Sequence, residues 1–158
     1  MDVQDKALEA LGPAHWPELY RLMVARGFPD VPPRYDEAVP FFKRARPYGL
    51  MRGSEIMAGF VFGEPEDGIA FFDVVCARAS QGVWATPGVL AALFRLAFDE
   101  MKLRCVWVQP HGKAAIKAAL QGGFVAATPL DGPSPVLVMT PALLPKRFRK
   151  ENEYGKFV

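Results

Sequence analysis

Two side chains in this sequence stand where proton transfer is chemically sensible. Asp73 is the only charged residue of the run 69–76, Ile-Ala-Phe-Phe-Asp-Val-Val-Cys. A carboxylate drawn out of water in such a run has its pKa raised toward the range of a general base. The other reading is a structural carboxylate bonded to nearby backbone donors. His111 follows a second apolar run, 105–109, where a neutral imidazole can take or relay a proton; the plainer reading is a loop side chain facing water. His15, ahead of Trp16 and Pro17, reads as a cap or surface residue. Other chemistries lack their residues. Two histidines and two cysteines, none at ligand spacing, do not make a zinc site, so no metal is expected. Ser54, Ser80 and Ser134 lack the Gly-x-Ser-x-Gly elbow of a hydrolase, and Gly122-Gly123 makes no dinucleotide fingerprint. Cys76 and Cys105 each sit in an apolar run and read as buried reduced thiols.

The elements that would position these residues follow from periodicity. Helical spacing over 4–11 and 16–26, with Leu19, Leu22 and Met23 on one stripe and a stop at Gly27, predicts two opening helices. The prolines of 28–34 predict a connection, followed by a short helix 36–44 with Asp36 as its cap. The period then changes to extended: 48–52 and 56–62 around Gly53-Ser54-Glu55 predict a hairpin. The near-continuous apolar run 69–76 predicts a central strand. A loop 77–86 leads to a helix 87–101 with Pro87 in its first turn and Val89, Leu90, Leu93, Phe94 and Ala97 as its stripe. Strand 105–109, helix 113–120 closed by Gly122-Gly123, and strands 124–128 and 136–140 complete the order. Alternating strands and helices in the middle call for a right-handed crossover between parallel strands, with antiparallel flanks. The fold class is therefore α/β with a mixed central sheet flanked by helices.

At 158 residues the chain suits one core, and we place a single domain at 1–145 with a basic tail or arm at 146–158. A net charge of +2 is too small for a nucleic-acid-binding domain, whose basic excess is usually plain. No run approaches the roughly 18 apolar residues of a membrane span, and the charged start Met-Asp-Val-Gln-Asp-Lys does not read as a signal sequence, so a cytoplasmic protein is expected. The run Lys146-Arg147-Phe148-Arg149-Lys150, trailed by Tyr154 and Phe157, reads as a solvated tail, or as an arm that grips an acidic protein partner or a nucleic-acid backbone with aromatic support or packs on a second copy of the chain.

The element order over about 16–140, with Asp73-Val74-Val75-Cys76 ending a strand and Gln81-Gly82-Val83-Trp84-Ala85-Thr86 leading into an apolar helix, resembles the GCN5-related N-acetyltransferase superfamily. The stretch from Gln109 to Gly123-Phe124 resembles that family's later strand, short helix and Gly-Phe closure. The variant loop, Trp84 to Pro87 before Val89-Leu90, looks like the divergent acetyltransferase-like proteins of tailed bacteriophages. The resemblance implies two splayed parallel strands in the middle of the sheet, ending at Cys76 and Gln109. Acetyl-coenzyme A would lie between them, contacted by Val74, Val75, Cys76, Gln81, Gly82, Val83, Trp84, Ala85 and Thr86. Backbone N–H groups of this loop and the positive end of the next helix would meet the pyrophosphate. The sequence departs from the family pattern at four places. Trp84 and Thr86 stand where the loop glycines belong, Ala119 replaces the tyrosine that protonates the leaving thiolate, and Gly112 replaces an asparagine.

Two functions follow. In the first, acetyl-coenzyme A gives its acetyl group to an amine on a small molecule or protein. The N–H of Val75 or Cys76 polarises the carbonyl, Asp73 or His111 takes the proton, and water replaces the missing tyrosine. In the second, the fold is catalytically silent and serves as a binding or virion assembly module, placed in a host cytoplasm or a phage particle.

Overall fold

The computed structural model describes residues 8–77, 80 and 84–148. Its elements are β1 (Leu8–Ala10), α1 (Trp16–Ala25), α2 (Tyr35–Arg44), β2 (Arg46–Arg52), β3 (Glu55–Phe62) and β4 (Ile69–Cys76). They continue with α3 (Pro87–Arg95), β5 (Cys105–Val108), α4 (Lys113–Gln121), β6 (Val125–Ala126) and β7 (Leu137–Met139). The strands run β1-β2-β3-β4-β5-β7-β6 in one mixed sheet. Every neighbouring pair is antiparallel except β4 and β5, which are parallel. The sequence predicts one domain over 1–145; the chain divides into two compact units, Met1–Glu64 with Phe72–Val89, and Pro65–Phe71 with Leu90–Val158. Strand β4 contributes to both.

In the first unit β2 and β3 form the expected hairpin, turning through Gly53 at φ +60°. Helices α1 and α2 lay Trp16, Leu19, Met23, Ala38 and Phe42 on Ile56, Val61 and Val75 of the strands. Trp16 stacks on Phe42 with centroids 5.7 Å apart and donates its indole N–H to Leu11 O at 3.2 Å. The proline-rich connection is tied back by Tyr20, whose hydroxyl donates to Pro32 O at 2.6 Å.

Two local expectations fail here. Residues 8–10 form the edge strand β1, with Leu8 opposite Leu50 and Ala10 opposite Tyr48, instead of the helix predicted over 4–11. An isolated helix of so few residues does not repay its nucleation cost, whereas pairing with β2 satisfies backbone groups at once. Residues 4–7 of that prediction lie outside the described residues. Asp36 is not the cap of α2: Arg34 holds that position in extended backbone, and Asp36 sits in the first turn. There it accepts from the Arg34 guanidinium, with Nε to Oδ1 at 3.1 Å.

In the second unit residues 69–71 of β4 pair with 105–107 of β5, and β5 pairs with β7. The turn before β4 is held by Arg104, whose Nε and Nη2 donate to Asp67 O at 3.0 and 2.6 Å. The helix predicted over 87–101 is α-helical only to Arg95 and widens into a π-helical turn, Leu96–Glu100, closed by Met101 N donating to Leu96 O at 2.8 Å. Phe94, Met139 and Phe148 form its core with Leu90, Phe98 and Phe124. Phe148 belongs to the expected basic arm. A 3₁₀ turn, Lys146–Phe148, buries that ring, while Arg147 donates to Gln121 O at 2.9 Å at the C-terminal end of α4. Arg149, Lys150, Tyr154 and Phe157 lie outside the described residues. Gly123, at φ +103°, closes α4 because a Cβ there would lie 2.5 Å from Pro145 Cγ.

Candidate functional site

The predicted strand-end residues Asp73, Val74, Val75 and Cys76 lie on the part of β4 that pairs with β3, Val75 opposite Gly59 and Asp73 opposite Val61. Ala77 N donates to Met57 O at 3.2 Å just beyond the ladder. Because antiparallel ladders alternate their hydrogen-bonding direction residue by residue, Ala77, Val75 and Asp73 turn their backbone groups toward β3. Phe72, Val74 and Cys76 turn theirs away from it. The parallel register with β5 runs from Ile69 to Phe71. Of the two N–H groups considered as carbonyl polarisers, that of Val75 is therefore spent inside the sheet, whereas that of Cys76 faces outward.

Side chains alternate the same way. Val75 joins the cluster under α1 and α2 together with Val61, and Asp73, two residues earlier, shares that face half-buried. The opposite face carries an aromatic run that sequence reasoning missed. Tyr48 meets Phe62 at 6.2 Å, Phe62 meets Phe72 at 4.8 Å, and Phe60 meets Phe72 at 6.3 Å and Trp84 at 5.3 Å. Its signal lay in the alternation Phe60, Phe62 in β3 with Phe72 across from them.

Of the loop, Gln81, Gly82 and Val83 lie outside the described residues. Trp84 is half-buried with its ring edge-on to the fully buried Phe60, so the bulky residue in the glycine position is anchored on the sheet. Ala85 is exposed. Thr86 is the N-cap of α3: its Oγ1 accepts from Val89 N at 3.2 Å, and its own N–H donates to Trp84 O at 2.9 Å. Thr-Pro before an apolar helix is a capping signature, so this role was legible in the sequence.

A helix N-terminus offers an anion the N–H groups that its own turns leave over, here those of Thr86, residue 87, Gly88 and Val89. Thr86 and Val89 have spent theirs and Pro87 has none. Gly88 alone keeps a first-turn donor. A pyrophosphate asks for several donors, and the α3 terminus supplies one; the other loop groups to which the resemblance assigns it, at 81–83, lie outside the described residues.

The candidate base His111 lies in the second unit, as do Gly112 and Ala119, the remaining two departures from the family pattern. His111 is exposed between β5 and α4, and Gly112 precedes α4 at φ +90°. Ala119 is half-buried on α4, its carbonyl accepting from Phe124 N at 3.1 Å. It has no acid to offer. Cys76 and Cys105 are free thiols. Burial pushes the Cys76 thiol up, and the nearby Arg26 charge opposes this more weakly, which makes Cys76 a poor nucleophile near neutrality. Among the described residues no three His, Cys, Asp or Glu side chains gather as a metal site requires, and no helix is long and apolar enough to cross a membrane.

No family model matches the sequence, and no curated protein matches it. Solved structures do. A point mutant of the spermidine N-acetyltransferase SpeG from Vibrio cholerae aligns at TM-score 0.71 and 15% identity, over 92% of this chain and 97% of that one. A chimera of that enzyme with hSSAT aligns at 0.67 and 12%, over 85% of this chain and 96% of that one. The dodecameric form of the Vibrio cholerae enzyme in an intermediate state aligns at 0.67 and 14%, over 85% and 92%. At such identities the likeness speaks for architecture. The mixed seven-stranded sheet with its single parallel pair in the middle is the fold of the GCN5-related N-acetyltransferases.

Proposed function

We propose that the chain transfers an acyl group, acetyl in the simplest case, from a coenzyme A-type thioester to an amine. The observation that carries this reading is β4 itself. The strand pairs in parallel with β5 at its start and then runs on to Cys76, whose N–H faces away from β3. Such a donor suits the oxyanion that forms when an amine attacks a thioester carbonyl. Asp73 is the base we assign to the amine proton, with His111 as the alternative. Ala119 leaves protonation of the departing thiolate to water, and loss of one such acid group costs about 100- to 10,000-fold rather than all activity. The structural neighbours are named spermidine N-acetyltransferases, which makes an aliphatic polyamine the first acceptor to try.

A second reading, a non-catalytic binding or assembly module of the kind seen in the phage-type resemblance, draws support from the spent donors of α3 and from Ala119. One experiment separates the two. Purified protein is given acetyl-coenzyme A and a panel of amines, with spermidine first, while released thiol and acetylated amine are followed. Acyl transfer predicts amine-dependent thiol release that falls by about 100-fold or more in Asp73→Asn. Absence of thiol release, together with no thermal shift at millimolar donor, would establish the module reading; a donor at about 100 times its dissociation constant adds roughly 2.7 kcal/mol of stability.

A further inference from the structure

We infer that the first unit carries a binding site of its own in the cleft where α2 runs into β2, and that this site takes a small carboxylate with an aromatic body. The inference stands apart from the acyl-transfer reading and does not need it. The cleft encloses about 300 Å³, at the small end of ligand sites, and every residue that lines it belongs to the first unit. Its floor is the stacked pair Trp16 and Phe42, with centroids 5.7 Å apart, and Pro47 and Tyr48 of β2 wall it. Trp16 spends its indole N–H on Leu11 O, so it turns only apolar surface to a ligand. A ring of the ligand's own is the shape that such a floor and wall can hold.

The charge of the ligand follows from the rim. Lys43, in the last turn of α2, and Arg46, the first residue of β2, both line the cleft and are exposed. Among the described residues neither is joined to a carboxylate. The C-terminal end of α2 brings roughly half a negative charge, which two full positive charges outweigh. That helix end presents carbonyls and no N–H groups, so the donors for an anion are the two side chains. A guanidinium and an ammonium match the two oxygens of a carboxylate, whereas a phosphate has three to satisfy. Arg46 lies four residues before Leu50 on β2, and Leu50 pairs with Ala58, which pairs with Cys76. At about 3.3 Å per residue, the cleft is roughly 13 Å along the sheet from the end of β4. A ligand there leaves that end open.

The test titrates the full chain, by calorimetry and tryptophan fluorescence, with 3-phenylpropionate, 3-phenylpropanol, phenyl phosphate and inorganic phosphate. The carboxylate is expected to bind with a dissociation constant of about 0.1–1 mM, and the other three at least about tenfold more weakly. The double variant Lys43→Gln with Arg46→Gln, which keeps the side-chain stems and removes both charges, should weaken 3-phenylpropionate by about tenfold or more. Its urea midpoint should stay that of the parent, because both residues are exposed. No binding of 3-phenylpropionate at about 10 mM, equal binding of the alcohol, or an unchanged affinity in the double variant would overturn the inference. Tighter binding of phenyl phosphate would overturn the carboxylate head, and competition by acetyl-coenzyme A would overturn the assignment to this cleft. None of these outcomes touches acyl transfer, which the amine panel decides separately.

Discussion

The missing side chain of Gly59 decides how closely α1 can lie on β3. A Cβ there would come within 2.5 Å of Leu19 Cδ1 and 3.3 Å of Val75 Cγ1, in a core with no slack. Gly59→Ala is expected to cost about 1–3 kcal/mol, read as a lower midpoint in chemical denaturation. Cys76, on the next strand, links stability to pH. Burial holds its pKa above the ordinary 9.0, so the folded thiol stays protonated where the unfolded one ionises. Its contribution is complete below that value and is lost as pH rises through the raised folded pKa. Stability should therefore fall more steeply above pH 9 in the parent than in Cys76→Ala, measured by urea titration across that range. At this scale the sequence was readable where chemistry is local. Thr86-Pro87 announces a capped helix, and Asp73 stands out as the one charge of its strand. The direction of Cys76's N–H was not readable, because it depends on which neighbour β4 pairs with at that point.

Among the elements, α3 depends most on a single cap. Thr86→Ala removes the acceptor for Val89 N and should destabilise the protein by about 1 kcal/mol, seen in the thermal or urea midpoint. Serine at the same position should restore most of that loss. The boundaries of β4 and the starts of α3, β5 and α4 follow from apolar runs bounded by turn residues, and the structure places them as read. The ends of α3 and the identity of β1 do not follow. Leu8, Glu9 and Ala10 favour helix as isolated residues, but the open edge of β2 supplies backbone partners that local propensity does not reveal. The π-helical turn at Leu96–Glu100 leaves the apolar stripe almost unchanged, so periodicity alone does not distinguish it from the α-helix expected there.

For the molecule as a whole, the order of strands and helices was enough to predict a mixed sheet with one parallel pair, because a helix between two adjacent strands brings the second back in the direction of the first. The packing of the chain's last described residues was not predictable from charge. Lys146-Arg147-Phe148 reads as a solvated basic stretch, yet Phe148 fills the core beside Phe94 and Met139, and Arg147 closes α4. Phe148→Ala should cost about 3–5 kcal/mol, approaching the whole stability of a modest domain, whereas Lys146→Ala should stay within about 0.5 kcal/mol. Paired denaturation curves of the two variants check this, and equal losses would contradict the burial of Phe148.

Because β4 serves both units, neither is a continuous stretch of sequence. As the chain leaves the ribosome, β1, β2 and β3 emerge before the strand that covers β3's free side. That open strand waits until Cys76 has been translated, and the seven residues 65–71 emerge on the way, with a β5 partner still more than thirty positions from synthesis. Order of synthesis and order of assembly therefore run crosswise, and a ribosome stalled anywhere before Cys76 exposes an apolar strand margin to whatever chaperone or neighbouring chain arrives first.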